Sequence, residues 1–300
     1  MKLFDRAVVA LLPAIPKPVV RRIASRYIAG ETLDDAVRVV RELNGVGCEA
    51  TIDVLGEFVA DIREAEATAA AYCETLERIR AESLRSNVSI KLTAFGLTVD
   101  GERCYALVRA LVARARELAN FVRIDMEDSP VTTRTLDVYR RLRAEGFDNC
   151  GVVLQAYMRR SADDVRALLP LKPSFRLCKG IYVEPPEVAF KDREEVRASY
   201  RSLLRQMLDG GASRVGIATH DPPLVDDALR ALKERAVPKE RYEFQMLLGV
   251  AERIRGRLVE AGHTMRVYVP YGRAWYGYSV RRIKENPSIA GYVAKGMLGL

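Results

Sequence analysis

The chain has 300 residues, 49% of them apolar and 29% charged, and carries a net charge of +8. That balance buries a core and excludes a disordered chain, while the length suits one α/β barrel or two ordinary domains. Five scattered cysteines without a Cys-x-x-Cys pair fit a reducing cytoplasm, and two histidines exclude metal sites built from histidine clusters.

The first 46 residues read as an N-terminal helical arm of two or three short helices. Pro16 and Pro18 separate the first helix from the second, and Gly30 with Thr32 ends one helix and caps the next. The apolar run at 8–15 is broken by Pro13 and too short to span a bilayer. Asp5 comes early and no small-residue cleavage site follows, so no signal peptide is expected. Val19, Val20, Ile23, Tyr27 and Ile28 recur at helical spacing. They suit an arm packed on the rest of the chain or, more sharply, a dimerisation or membrane-surface element.

From residue 47 to the end, apolar β-type runs alternate with amphipathic helical stretches. The runs fall at 50–56, 88–94, 121–127, 151–157, 175–182, 214–220, 242–248 and 265–271. Helical patterns follow them at 62–82, 105–118, 131–145, 162–169, 194–208, 223–235, 250–261 and 273–285. Strict strand–helix alternation implies parallel pairing through right-handed crossovers. Eight such units close a (β/α)8 barrel over residues 47–300 and leave no open sheet edge. A doubly wound fold would need a Gly-x-Gly-x-x-Gly turn after its first strand, which is absent, and no P-loop exists either.

The carboxyl ends of the expected strands are polar. They carry Lys91; Asp125 and Glu127; Gln155; Arg176 and Lys179; Thr219, His220 and Asp221; Gln245; and Tyr268. Desolvating an unpaired charge is costly, so these groups must find each other, a ligand or water. On the last helical stretch, Tyr278, Arg281, Arg282 and Glu285 share one broad face. Two adjacent guanidinium groups and one internal anion leave room for an external carboxylate, which the planar arginine fork grips well.

Several segments resemble the proline dehydrogenase family. They are Ser89-Ile-Lys91-Leu, Arg123-Ile-Asp125-Met126-Glu127, Gln155-Ala-Tyr157 and Arg176-Leu-Cys-Lys179-Gly180-Ile181-Tyr182. Further on come Ala218-Thr219-His220-Asp221, Glu243-Phe244-Gln245-Met-Leu247, Tyr268-x-Pro270 and Tyr278-x-x-Arg281-Arg282-x-x-Glu285. The resemblance implies an FAD-dependent barrel enzyme of the monofunctional bacterial form. It would oxidise L-proline to 1-pyrroline-5-carboxylate by hydride transfer from proline C5 to flavin N5. It implies that Lys91, Arg281 and Arg282 bind the substrate carboxylate, that Glu285 aligns the arginines, and that Leu247, Tyr268 and Tyr278 wall the ring. Asp125 would lie beneath the site beside a basic neighbour, and Arg176 near the flavin N5–O4 edge. Met126, Gln155, Lys179, Gly180, Ile181, Ala218, Thr219 and His220 would line a non-covalent FAD. The implied partners are a quinone at the inner face of the membrane, reached from the cytoplasm, and a pyrroline-5-carboxylate dehydrogenase that takes the product; self-association is compatible with the arm. Two positions depart from the family pattern: alanine is usual where Ile181 stands, and asparagine where Asp221 stands, so Asp221 is expected to add negative charge near the cofactor.

Rival readings are weaker. A Schiff-base aldolase would use Lys91 or Lys179 as the imine-forming amine. A nucleic-acid binder would need clustered Lys/Arg with interleaved aromatics, whereas here arginines are spread among acids. Asp125, Glu127 and Asp128 come from one strand end and do not surround a metal alone, so no metal site is assigned.

Overall fold

The computed structural model describes residues 25–276 and Ser279. Within them, helix α1 (Leu33–Gly45) leads into strand β1 (Glu49–Val54), then α2 (Ile62–Ala81), β2 (Ser86–Ile90), α3 (Gly101–Glu117) and β3 (Val122–Ile124). There follow α4 (Ser129–Ala144), β4 (Cys150–Gln155), α5 (Ser161–Leu168), β5 (Ser174–Cys178) and α6 (Arg193–Asp209). The series ends with β6 (Arg214–Ala218), α7 (Pro222–Glu234), β7 (Tyr242–Leu247), α8 (Glu252–Glu260) and β8 (Met265–Tyr271). All eight strands pair in parallel with their sequence neighbours, and β1 pairs with β8 to close the barrel. Each of the eight apolar runs read from the sequence supplies one of these strands.

Helix starts follow their caps. Thr32 and Asp35 form a reciprocal capping box at α1, and Asp61, Asp100 and Asp192 accept first-turn backbone N–H groups at α2, α3 and α6. Helix α1 packs over β1 and β8. The expected helix at 273–285, with Tyr278, Arg281, Arg282 and Glu285, lies outside the described residues, as do Val19, Val20 and Ile23. No helix among the described residues is long and apolar enough to cross a membrane.

Several strands are shorter than their apolar runs. After Ile90 the chain tightens into a 3-10 turn over Leu92–Phe95, and after Cys178 it swings away at Gly180, whose φ of +108° is left-handed territory. A side chain at Gly180 would also strike the Tyr157 ring. Asp125, Met126 and Glu127 therefore stand on the loop after β3, and Lys179, Ile181 and Tyr182 on the loop after β5.

Side chains on the strands alternate between two environments, as their period of two requires. One set faces the helices and is apolar and fully buried: Ile52, Val88, Ile90, Ile124, Val152, Leu154, Phe175, Leu177, Val215, Ile217, Phe244, Met246, Val267 and Val269. The other set fills the barrel interior and is largely polar, with Thr51, Asp53, Ser89, Arg123, Arg176, Glu243, Gln245 and Arg266 all buried. Parallel barrels usually fill this space with branched apolar residues. Two glycines make room for the long polar chains instead. A Cβ on Gly151 would lie 2.3 Å from Arg123 Nη1, and one on Gly216 would lie 2.5 Å from Gln245 Nε2.

Candidate active site

At the carboxyl-end mouth, Lys91 leaves the end of β2 and inserts its ammonium between neighbours from three other strands. Nζ donates to Asp53 Oδ1 of β1 at 2.8 Å and to the Tyr268 hydroxyl of β8 at 3.2 Å, and lies 3.8 Å from Asp125 Oδ2. The Tyr268 hydroxyl donates in turn to Asp125 Oδ2 at 2.8 Å. The other oxygen of Asp125 accepts from Arg176 Nη1 at 2.7 Å and from the Ser89 hydroxyl at 2.8 Å. Arg176 Nη1 also reaches Ser89 Oγ at 3.1 Å. Two acids, two bases and a phenol thus interlock, each from a different strand or the turn that follows it.

The electrostatics keep Lys91 charged. Burial alone would lower its pKa, but the carboxylates of Asp53 and Asp125 and the hydrogen bond to Asp53 more than offset it and raise it above the ordinary lysine value. Asp53 is fully buried; its desolvation pushes its carboxyl up and Lys91 pulls it back. Tyr72 of α2 supports this corner from below, donating to Ser89 O at 2.6 Å and lying 3.3 Å from Asp53 Oδ1. Next to it, Glu127 accepts from Thr93 N at 3.0 Å and from the Thr93 hydroxyl, and burial lifts its carboxyl to about 7.

The structure brings Lys91, Asp125, Arg176 and Tyr268 together as the sequence suggests. A second polar cluster forms at the mouth between β5 and β6. There Asp221, at the start of α7, accepts from Arg197 Nη2 at 2.7 Å and Nε at 2.9 Å and from Lys179 Nζ at 3.3 Å. The Arg197 hydrogen bonds hold its carboxyl below the ordinary range. The expectation that Asp221 adds negative charge is corrected by these partners: the carboxylate is real, but two cations neutralise it. Gln155 at the end of β4 is buried and donates to Glu127 O at 2.8 Å, Met126 is buried, and Ile181 is 36% exposed. Thr219 is buried and accepts from Asp221 N at 3.2 Å, just past Ala218. His220 accepts from Leu247 N at 2.8 Å through Nε2, so its ring ties β6 to β7. Tyr278, Arg281, Arg282 and Glu285 lie outside the described residues.

Sequence reasoning missed Asp53, the acid that holds Lys91. A lone aspartate inside the apolar run at 50–56 was the available signal. A cleft of ≈ 680 Å³ opens at the opposite end of the barrel, among Arg80, Arg85, Asn120 and Arg266. It lies at the amino ends of the strands, away from where such barrels do chemistry.

Charged groups gathered at the carboxyl-end mouth, where parallel barrels place their chemistry, make the molecule a (β/α)8-barrel enzyme. Comparison with known proteins narrows that class. A family model described as "Proline dehydrogenase" matches residues 36–295. Proline dehydrogenase 1 of Bacillus subtilis (strain 168) is 40% identical over 276 residues, covering 92% of this chain and 90% of the relative. Proline dehydrogenase of Deinococcus radiodurans is 37% identical over 280 residues, with the same coverage of 92% and 90%. Among solved structures, proline utilization A (PutA) from Bdellovibrio bacteriovorus inactivated by N-propargylglycine superposes with a TM-score of 0.84 at 25% identity, over 95% of this chain and 37% of that one. The chain belongs to the proline dehydrogenase family. The aldolase alternative finds no support: a Schiff-base amine must shed its proton, whereas Lys91 is held charged between two carboxylates and Lys179 is engaged by Asp221.

Proposed function

We propose that the chain oxidises L-proline to 1-pyrroline-5-carboxylate with a non-covalently bound FAD. The observation that carries the reading is the interlocked cluster of Lys91, Asp125, Arg176 and Tyr268 at the barrel mouth of a proline dehydrogenase family member. Bound flavin would supply the hydride-accepting chemistry, which no side chain here can perform.

The donor set fits such a group. Arg176 spends Nε and Nη1 on Gln245, Asp125 and Ser89, while Nη2 has no hydrogen-bond partner among the described residues. That spare donor would stabilise the negative charge that reduction places on the N5–O4 edge. Met126, Gln155, Lys179, Gly180, Ile181, Ala218, Thr219 and His220 would line the cofactor.

On the substrate side, Lys91 has an ammonium oriented by Asp53 and Tyr268, ready for the proline carboxylate. Arg281 and Arg282, aligned by Glu285, would complete that grip, and Leu247, Tyr268 and Tyr278 would wall the ring. A carboxylate held this way turns binding energy into alignment of the reacting carbon. Asp125 holds Arg176 and Tyr268 in register with each other. Electrons would leave to a quinone at the membrane surface, with the protein touching the inner face peripherally, and the product would pass to a pyrroline-5-carboxylate dehydrogenase. Residues 1–46 would form an N-terminal arm preceding the barrel at 47–300, with its helix α1 seated on β1 and β8, and self-association of the chain is compatible with it.

A visible spectrum tests the reading. Purified protein should absorb near ~450 nm, and anaerobic L-proline should bleach that band. A colourless protein, or a yellow one that stays yellow in proline, overturns it.

A further inference from the structure

Arg176 is held from one level deeper in the barrel. Its Nε donates to Gln245 Oε1 at 2.5 Å, and Gln245 Nε2 donates to Glu243 Oε1 at 2.5 Å. Glu243 is gripped by Arg266 Nε at 2.8 Å and lies 2.9 Å from Arg214 Nη2. Glu243, Gln245 and Arg176 are each buried, at 3%, 6% and 6% exposure, so water does not substitute for a missing partner.

A carboxamide has a donor end and an acceptor end of nearly the same shape, and rotation about one bond exchanges them. Turned the wrong way, Gln245 would set its NH2 against the N–H of Arg176, donor against donor. What selects the productive orientation is Glu243, because an ionised carboxylate only accepts. Burial pushes its carboxyl up, but the charge and hydrogen bonds of Arg266, with Arg214 and Arg123 nearby, bring it down to about 2. The selection therefore operates at every working pH. Gly216 sits in register with both Arg176 and Glu243, and a Cβ there would crowd Gln245 Nε2 at 2.5 Å. The strand between the two charged residues is bare where the amide must lie.

We propose that Glu243, acting through Gln245, is the positioning residue that fixes the Arg176 guanidinium, so that Nη2 is the donor left for the flavin edge. The chain of contacts reaches the proline side only indirectly, through Asp125, which Tyr268 and Lys91 also face. Its consequence lies in how strongly negative charge on the reduced flavin is stabilised, and this consequence rests on the placement of Arg176 beside the flavin proposed above.

Three variants test it: Gln245→Met removes the acceptor, Glu243→Gln removes the obligate partner, and Gly216→Ala displaces the amide without altering any charge. In flavin-free protein, the Arg176 Nε–H resonance in nitrogen-resolved NMR should shift in all three. In flavin-loaded protein, Gln245→Met should slow anaerobic flavin reduction at saturating proline about tenfold or more. It should also move the flavin potential negative, with the proline Kd changed less than twofold. Gly216→Ala and Glu243→Gln should move in the same direction. An unchanged Nε–H signal in Glu243→Gln overturns the proposal whether or not flavin binds. So does lowered thermal stability in all three variants with rate and potential unchanged, because that is the signature of a merely structural contact. If the wild type binds no flavin while the Nε–H signal responds as expected, the positioning chain stands and the flavin reading fails.

Discussion

The barrel interior contains two buried ionic clusters, one at each end, and they are built differently. At the floor, every nitrogen of the Arg266 guanidinium is engaged: Nε with Glu243 at 2.8 Å, Nη1 with Ala50 O at 2.7 Å, and Nη2 with Glu49 and Glu243. Arg123 beside it donates to Ser174 O at 2.6 Å and Ser174 Oγ at 2.9 Å. At the mouth, Lys91 and Arg176 face Asp53 and Asp125, and Arg176 keeps one nitrogen uncommitted among the described residues. Most of this buried charge is paired, as burial demands, and Arg123 is the exception: it makes no ion pair among the described residues and its Nε is unsatisfied. Both clusters keep donors in reserve, Arg123 Nε and Arg214 Nε at the floor and Arg176 Nη2 at the mouth, but only the mouth lies where such barrels do chemistry. The floor holds the fold and reaches the site only through the Glu243–Gln245 contact, whereas the mouth can hand its remaining hydrogen bonds directly to a ligand.

Breaking the floor at Arg266 should therefore cost stability first, and breaking the mouth should cost function first. The largest expected effect is from Arg266→Met, which strands Glu243 and Glu49. It should cost about 3–5 kcal/mol and lower Tm by about 10 °C in a thermal melt. A variant that melts with the wild type would show that the floor cluster holds nothing.

Glu127 sharpens the contrast by pH. Its folded carboxyl is raised to about 7 by burial, above the ordinary range near 4.3. The folded state thus binds a proton that the unfolded chain releases, so this contribution is complete below about pH 4.3 and is lost as pH rises through about 7. Relative to Glu127→Gln, the wild type should lose on the order of 3 kcal/mol between those limits in urea melts. Parallel pH profiles for the two proteins would refute the raised carboxyl.

Lys91→Met should raise KM for proline about a hundredfold, or ~2.7 kcal/mol. Its stability cost should be smaller at pH 5 than at pH 8, because the buried Asp53 carboxyl, already raised, can take up a proton when its cation is gone. A KM within twofold of wild type would remove Lys91 from the substrate grip. The smallest effect belongs to Tyr268→Phe, which deletes one hydrogen bond to Asp125 and one from Lys91. About 1 kcal/mol, or roughly a fivefold drop in kcat/KM with Tm unmoved, is expected.

Much of this molecule is legible before any coordinates. The eight strands each grow from an apolar run, Thr32 caps its helix, and Lys91, Asp125, Arg176 and Tyr268 stand out as polar residues where a structural strand has no use for them. Strand ends read less well. Ile90 and Cys178 end their strands while the apolar run continues, because the turn at Leu92–Phe95 and the left-handed Gly180 redirect chain that still looks extended in sequence. Asp221 reads as added charge, yet Arg197, from the preceding helix, neutralises it.

Residue order alone determined the local periods: where a strand runs, which positions along it are polar, and that eight units succeed one another. Which polar positions meet was settled only by closure of the sheet, which sets Asp53 against Lys91 and turns the amide of Gln245 between Glu243 and Arg176. Periodicity is a property of neighbours along the chain. Pairing across a closed barrel depends on register and tilt, and it joins side chains such as Arg176 and Gln245 that stand 69 positions apart.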